Sequence, residues 1–286
     1  MKILLAEYAV GMQLEDGLIR EGRAMLSTLA ASFRRAGHDL LTPEPGRFED
    51  DLDKLAADSD YGLVIAPDEH LAHYTRIIEE ETVNLGSSPS VIEICADKLK
   101  TGMILSAAEI AVPDDGPSDR YVIKPRWGCG SEDITVSDDP SLTIEEGFVR
   151  TGLIEGEHLS VSLIASKNGF TLPLTINRQI VEVNSNRIEY KGGFTPYFTP
   201  RSTEIIEAGI RAGEVLGCAG YFGVDIVLAD KPYIVDVNPR PTTSIIGIRQ
   251  VIDHEIGDLI LKARTGELPE SINRIQDEVS YKLDEL

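Results

Sequence analysis

Between Pro232 and Ser244 the chain reads PYIVDVNPRPTTS, an apolar run in which Asp236, Asn238 and Arg240 recur two residues apart. A spacing of two puts Asp236 and Asn238 on one face of a strand. Hard oxygen donors so arranged suit a cation such as Mg2+ holding phosphate oxygens, whereas zinc would call for His or Cys. The preceding run, YFGVDIVL, carries Asp225, and the ADKP between them reads as the turn of an antiparallel hairpin. With a four-residue loop, Ala229–Pro232, Leu228 faces Tyr233 and Asp225 pairs with Asp236. Two carboxylates about 5 Å apart repel by roughly 3 kcal/mol at an effective dielectric near 20, so a cation belongs between them. The alternative is a wet sheet face that tolerates both charges. The flanking Val224, Ile226, Val235 and Val237 oppose it by alternating with the acids as a core face does. A slip of one residue in the hairpin would undo the pairing.

A metal and phosphate site also needs cations and backbone donors. VIKPRWGCGS provides Lys124 at a strand end and a loop of Gly128, Gly130 and Ser131 whose N–H groups can approach an anion closely. Lys98, near the start of a helix in CADKLKTG, is a second phosphate candidate, with a solvated lysine as the plainer reading. No Walker loop, no G-x-G-x-x-G turn, no G-x-S-x-G and no S-x-x-K accompanying the KTG occur, so those nucleotide and serine chemistries are set aside. His70 and His73 lack the partners of a metal site. Arg178 in NRQ and Lys191 in YKGG are candidates for gripping a substrate carboxylate or phosphate, and Gly192–Gly193 for a mobile lid, a plain turn being the alternative. Glu7 and Tyr8 end the first strand, at the edge where open sheets bind ligands, with loop capping as the other reading.

The elements that must carry these residues fall into two groups, 1–90 and 91–286. The first alternates strand and helix signals: KILLAEYA, EGRAMLSTLAASFRRAG, HDLLTP, FEDDLDKLAAD and YGLVIAP. That βαβαβ order predicts a small parallel sheet flanked by helices. The second opens with a mainly helical stretch from Ser90, followed by short strands, a helix over about 203–216, the hairpin, and a closing helix in VIDHEIGDLILKART. The last twenty residues read as a solvated tail or a loosely docked helix. The fold class is α/β with an α+β second part.

Composition narrows the partners. At 286 residues and 42% apolar content, two cores are expected. A charge of −21, from 27 basic against 48 acidic residues, argues against nucleic acid, which selects basic surfaces, and marks a soluble protein. Three dispersed cysteines suggest neither a disulfide framework nor zinc, and no long apolar run spans a membrane; cytoplasm is the expected location. The sequence leaves a homo-oligomer open.

Taken in order, Lys98, VIKPRWGCGS, GLIEGEHLSVSLI, YFGVDIVL and IVDVNPRPTTS resemble the ATP-grasp superfamily of carboxylate-amine ligases over about 91–265. The resemblance implies an ATP-grasp fold preceded by a small Rossmann-like parallel α/β domain. It implies that Lys98 and Lys124 contact nucleotide phosphates under the 128–131 loop, that backbone near Leu153 and Ile154 meets adenine, and that Glu157 holds the ribose. Asp225, Asp236 and Asn238 match ligands of Mg2+ or Mn2+, and Arg240 an arginine that steadies an acyl-phosphate. Two departures stand out: Thr151-Gly152 occupies the place where a Gln-Glu pair is frequent, and Asp236 the place where Glu is more usual. A narrower likeness, in EYAVG, EGRAML, NLGSS, NRQ, YKGGFTP and NPRPTTS, is to archaeal ligases that join glutamate to tyramine in methanofuran biosynthesis. It implies glutamate and tyramine as small-molecule substrates. A ligase for another amino acid or peptide, and a nucleotide-binding module without chemistry, are the competing expectations; a complete set of lysines, acids and Arg240 disfavours the second.

Overall fold

The computed structural model describes residues 1–286 apart from 15–16, 129–132 and 185–186. Strands β1 (Lys2–Glu7), β2 (Asp39–Leu41), β3 (Tyr61–Ile65) and β4 (Val83–Asn84) form a parallel sheet in the order β2-β1-β3-β4. Helices α1 (Tyr8–Gly11), α2 (Leu18–Arg35), α3 (Phe48–Ala57) and α4 (Asp68–Glu81) make the connections. β1 has no polar face because both faces are covered. Ile3 and Leu5 pack with Met25, Leu29 and Phe33 of α2; Leu4 and Ala6 pack with Phe48, Leu52, Leu71 and Ile78 of α3 and α4. Each such aliphatic side chain, once fully buried, contributes about 1.5–3 kcal/mol. The βαβαβ expectation holds. β4, two residues long, is too short to leave a period in the sequence.

The helical stretch expected from Ser90 divides at Asp97 into α5 (Pro89–Ala96) and α6 (Lys98–Ala107), because the Asp97 side chain accepts from the Lys100 amide and caps a new helix. Then follow β5 (Tyr121–Pro125), β6 (Thr135–Ser137), β7 (Phe148–Gly152), β8 (Glu157–Ala165), β9 (Thr171–Asn184), β10 (Arg187–Thr195), α7 (Ser202–Leu216), β11 (Gly220–Leu228) and β12 (Pro232–Asn238). These strands pair antiparallel in the order β12-β11-β8-β9-β10-β6-β5-β7. One face is apolar: Leu159, Val161 and Leu163 of β8 with Phe222, Val224 and Ile226 of β11 pack against Ile205, Ala212 and Leu216 of α7. The opposite face looks toward the first sheet.

Two C-terminal expectations are corrected. The closing helix expected over 251–265 begins only at Ile256, as α9 (Ile256–Thr265); a separate α8 (Ile245–Val251) precedes it, and between them the Asp253 carboxylate accepts from the Asn273 side chain at 2.9 Å and backbone at 3.1 Å. Both pack on α2, so the two halves share an apolar core. Most of the tail is exposed, as expected, but at 279–282 it is neither free nor helical: β13 (Val279–Lys282) pairs antiparallel with β10 and buries Tyr281. Gly192 and Gly193, expected as a lid, are instead paired strand residues facing it. Gly192 sits at φ +133°, and a Cβ there would lie 2.3 Å from the Tyr281 carbonyl oxygen. Among the described residues no helix is long and apolar enough to cross a membrane.

Candidate active site

A cleft of about 630 Å3 lies between the first sheet and the inner face of the second. β11 and β12 build its floor. The hairpin loop has three residues, not four: Leu228 pairs with Pro232 and Val227 with Tyr233. A bulge between Asp225 and Ile226 then inserts Val235 as an extra residue and restores the pairing of Asp225 with Asp236. Val235 therefore leaves the core face, where Ile234 takes its place, and lines the cleft. Its carbonyl accepts the Lys124 ammonium at 2.8 Å. The loop count was wrong and the carboxylate pairing right.

The electrostatics of this floor ask for a cation. Burial, with the Asp236 charge second, pushes the Asp225 carboxyl up to about 7, although Gln179 Nε2 at 2.8 Å and Asn238 Nδ2 at 3.2 Å both donate to it. Lys98 Nζ lies 4.0 Å from Asp236 Oδ2 and donates to the Gly128 carbonyl at 2.5 Å. Burial pushes Lys124 below its ordinary value, against the pull of Asp236 and Asp225. Among the described residues no three His, Cys, Asp or Glu side chains cluster as a complete metal cage. Two carboxylates and the amide oxygen of Asn238 fit a hard divalent ion.

Arg240, on the segment leaving β12, lines the next part of the cleft, and its Nε stands 3.6 Å from Asp68 Oδ1. Asp68, first residue of α4, is 7% exposed; burial raises its carboxyl while Arg240 pulls it down. This charge from α4, absent from the sequence-based set, fixes an arginine on the segment after β12. Glu7 lines the cleft, and its Oε2 caps the Val10 amide at 2.7 Å as the loop-capping reading expects. Tyr8 turns away and stacks on His70 with ring centroids 4.7 Å apart.

At the opposite end Thr151, Gly152, Leu153 and Ile154 line the cleft beside Val122, Phe148 and Ile188, an apolar slot suited to a planar base. The Gly152 and Leu153 amides anchor this hinge to the carbonyls of Asp114 at 2.6 Å and Arg120 at 2.8 Å. Gly128 lines the cleft as expected; Gly130 and Ser131 lie outside the described residues.

Three sequence-based choices, Glu157, Arg178 and Lys191, are not brought into the cleft. Each sits one residue from a side chain that is. β8 alternates, and Glu157 shares the face of Leu159 and Val161; His158 and Ser160 point inward. Arg178 pairs with Leu159 on that same outer face, 3.8 Å from Glu157, with Tyr197 donating to Glu157 at 3.0 Å. Gln179, next to it, enters the cleft and holds Asp225. Lys191 is the bulged residue of β10, exposed and 2.5 Å from Glu189, while Tyr190 enters the cleft. The signal was present for β8: Leu159, Val161 and Leu163 define an apolar phase that Glu157 joins.

Comparison with known proteins agrees with this geometry. An ATP-grasp domain matches residues 95–244. The chain is 31% identical to a tyramine–L-glutamate ligase of Methanocaldococcus fervens, covering 93% of this chain and 94% of that protein. It is 30% identical to the enzyme of the same name from Methanocaldococcus jannaschii, over 93% and 90%. A crystal structure of an ATP-grasp superfamily protein from Archaeoglobus fulgidus superposes with a TM-score of 0.80 at 27% identity, covering 99% and 98% of the two chains. Enzymes of this family use ATP with divalent metals. The chain belongs to the ATP-grasp family and is one of its C–N bond-forming ligases.

Proposed function

We propose that the protein joins the γ-carboxylate of glutamate to the amine of tyramine, forming ADP through an acyl-phosphate, with Mg2+ or Mn2+ as the metal. The observation that carries this reading is the facing Asp225–Asp236 pair, flanked by Lys98, Lys124 and Arg240 on one cleft, in a chain 31% identical to a ligase of that name.

A carboxylate resists an amine because its charge repels the nucleophile and oxide leaves poorly. Transfer of the γ-phosphoryl group removes both obstacles. Asp225, Asp236 and Asn238 would hold the metal, which when bound would offset the charge of the phosphates. Lys124 and Lys98, both directed at the floor, neutralise the phosphates on the other side. The hinge at Leu153–Ile154 receives adenine and His158 or Ser160, not Glu157, faces the sugar. Arg240, steadied by Asp68, meets charge developing on the acyl-phosphate as the phosphoryl group arrives. Excluding water keeps that intermediate for the amine.

Incubation with ATP, Mg2+ and glutamate, with and without tyramine, tests the proposal. Tyramine-dependent ADP release with a γ-glutamyl amide as product is the expected result. ADP release on a different acid and amine would keep the ligase and replace its substrates; ATP binding without turnover on any pair would overturn the reading.

A further inference from the structure

Beyond Arg240 the cleft continues into an end that nucleotide chemistry does not occupy. Glu7 of β1, Glu21 and Met25 of α2, Thr243, and Tyr190 and Tyr281 of β10 and β13 surround it. Apolar walls with acidic groups suit an amine carried on an apolar body. Most of the polar groups there are engaged with one another: Thr243 donates to Glu21 at 2.7 Å, and Tyr190 to Tyr281 at 3.3 Å. Glu7 differs in being a carboxylate only 5% exposed that still reaches the cleft. The fold keeps room for it. Gly22 of α2 packs directly on the carboxylate, and a Cβ at that position would lie 2.4 Å from Glu7 Oε2.

We propose that Glu7 is the base that takes the proton from the acceptor amine as it attacks the acyl-phosphate. The proposal rests on the ligase reading above. Arg240 follows the end of β12 that carries Asp236 and Asn238, and its charge reaches Glu7, so an acyl-phosphate steadied by Arg240 presents its carbonyl carbon toward the Glu7 end. There the amine nitrogen forms its bond to the carbonyl carbon, the C–O bond to phosphate breaks, and phosphate departs with that electron pair. The proton left on nitrogen passes to Glu7 and from there to the departing phosphate. Burial pushes the Glu7 carboxyl up to about 7, against the pull of the Val10 and Ala9 amides and Arg240, which suits proton uptake near neutral pH. The charged and titratable groups bordering Glu7's end of the cleft are Arg240, Glu21 of α2, Asp68 and Glu69 of α4, and Tyr190 and Tyr281.

Glu7→Gln, which keeps an acceptor for the Val10 amide, tests this with two nucleophiles. Hydroxylamine is already neutral at pH 7 and attacks acyl-phosphates with little need of a base. The expected result is a loss of about 100-fold or more in amide formation, with hydroxamate formation close to wild type. Wild-type amide formation should rise with pH and level off above about 7, whereas in Glu7→Gln it should keep rising past that point with the fraction of free amine. Glu7→Asp should restore the levelling at a reduced rate. Equal losses with both nucleophiles would make Glu7 a structural cap and overturn the proposal, as would an unchanged amide rate. A wild-type protein that makes no hydroxamate from ATP and glutamate would overturn the ligase reading, and this proposal with it.

Discussion

Asp225 and Asp236 face each other across β11 and β12 because Val235 bulges, which compensates for a hairpin loop one residue shorter than simple strand pairing requires. The bulge does two jobs at once: it aligns the carboxylates and turns the Val235 carbonyl to the Lys124 ammonium. Removing Val235 takes out the bulge itself, so with the three-residue loop Asp225 still falls opposite Asp236 while Lys124 loses its carbonyl acceptor, and turnover should fall without vanishing. Asp236→Ala is expected to lose turnover entirely while its circular dichroism stays native. Retained activity in Asp236→Ala would sink the metal assignment.

The Asp225 carboxyl, pushed from 3.8 to about 7, binds a proton in the native state where the unfolded chain does not. A raised carboxylate pKa means stability falls as pH rises between about 4 and 7, by up to about 4 kcal/mol from this group. Glu7 and Asp68, both also raised, act in the same direction. Metal-free Asp225→Asn should therefore melt higher than metal-free wild type at pH 8, with the difference shrinking toward pH 4. Added Mg2+ should raise the melting temperature of wild type and leave Asp225→Asn unmoved, which differential scanning calorimetry would read.

Strand phase separates His158 and Gln179 from Glu157 and Arg178. His158→Ala is expected to raise the KM for ATP about tenfold, the loss of one polar contact of roughly 1.4 kcal/mol. Gln179→Ala should weaken metal dependence by releasing Asp225. Arg178→Ala and Glu157→Gln should change either constant less than threefold. Steady-state kinetics on the four variants decides the phase.

Asp68 stands 3.6 Å from Arg240 and is the carboxylate paired with it. Asp68→Asn should lower kcat by roughly 10- to 100-fold with little change in the KM for ATP, because a side chain misplaced by about 1 Å at the reacting group costs on that order. Arg240→Ala and the double variant should then be equally slow. Additive losses in this cycle would show that Asp68 serves something else.

Gly192→Ala places a methyl carbon 2.3 Å from the Tyr281 carbonyl oxygen and imposes φ +133° on a side-chain-bearing residue. It should destabilise by about 1–3 kcal/mol and detach β13, exposing the Glu7 end of the cleft. Faster amide exchange confined to 279–282 would be the readout.

The sequence by itself determined the chemistry of the floor. Acids at 225 and 236, an amide at 238, lysines at 98 and 124 and Arg240 are types and spacings that survive in one dimension, as do the alternating apolar runs that predicted two layers of strand and helix. Tertiary structure decided phase and partnership. A bulge adds one residue without any signal in composition, and in a strand one residue exchanges inside for outside. That is why Tyr190, not the bulged Lys191, lines the cleft; on β8 and β9 plain alternation puts His158 and Gln179 in the cleft and Glu157 and Arg178 on the other face. Partners far apart in the chain were equally invisible: Asp68 meets Arg240 across 172 residues (240 − 68), and Glu7 meets the same cleft from the first strand, because two separately patterned sheets close on one another only when folded.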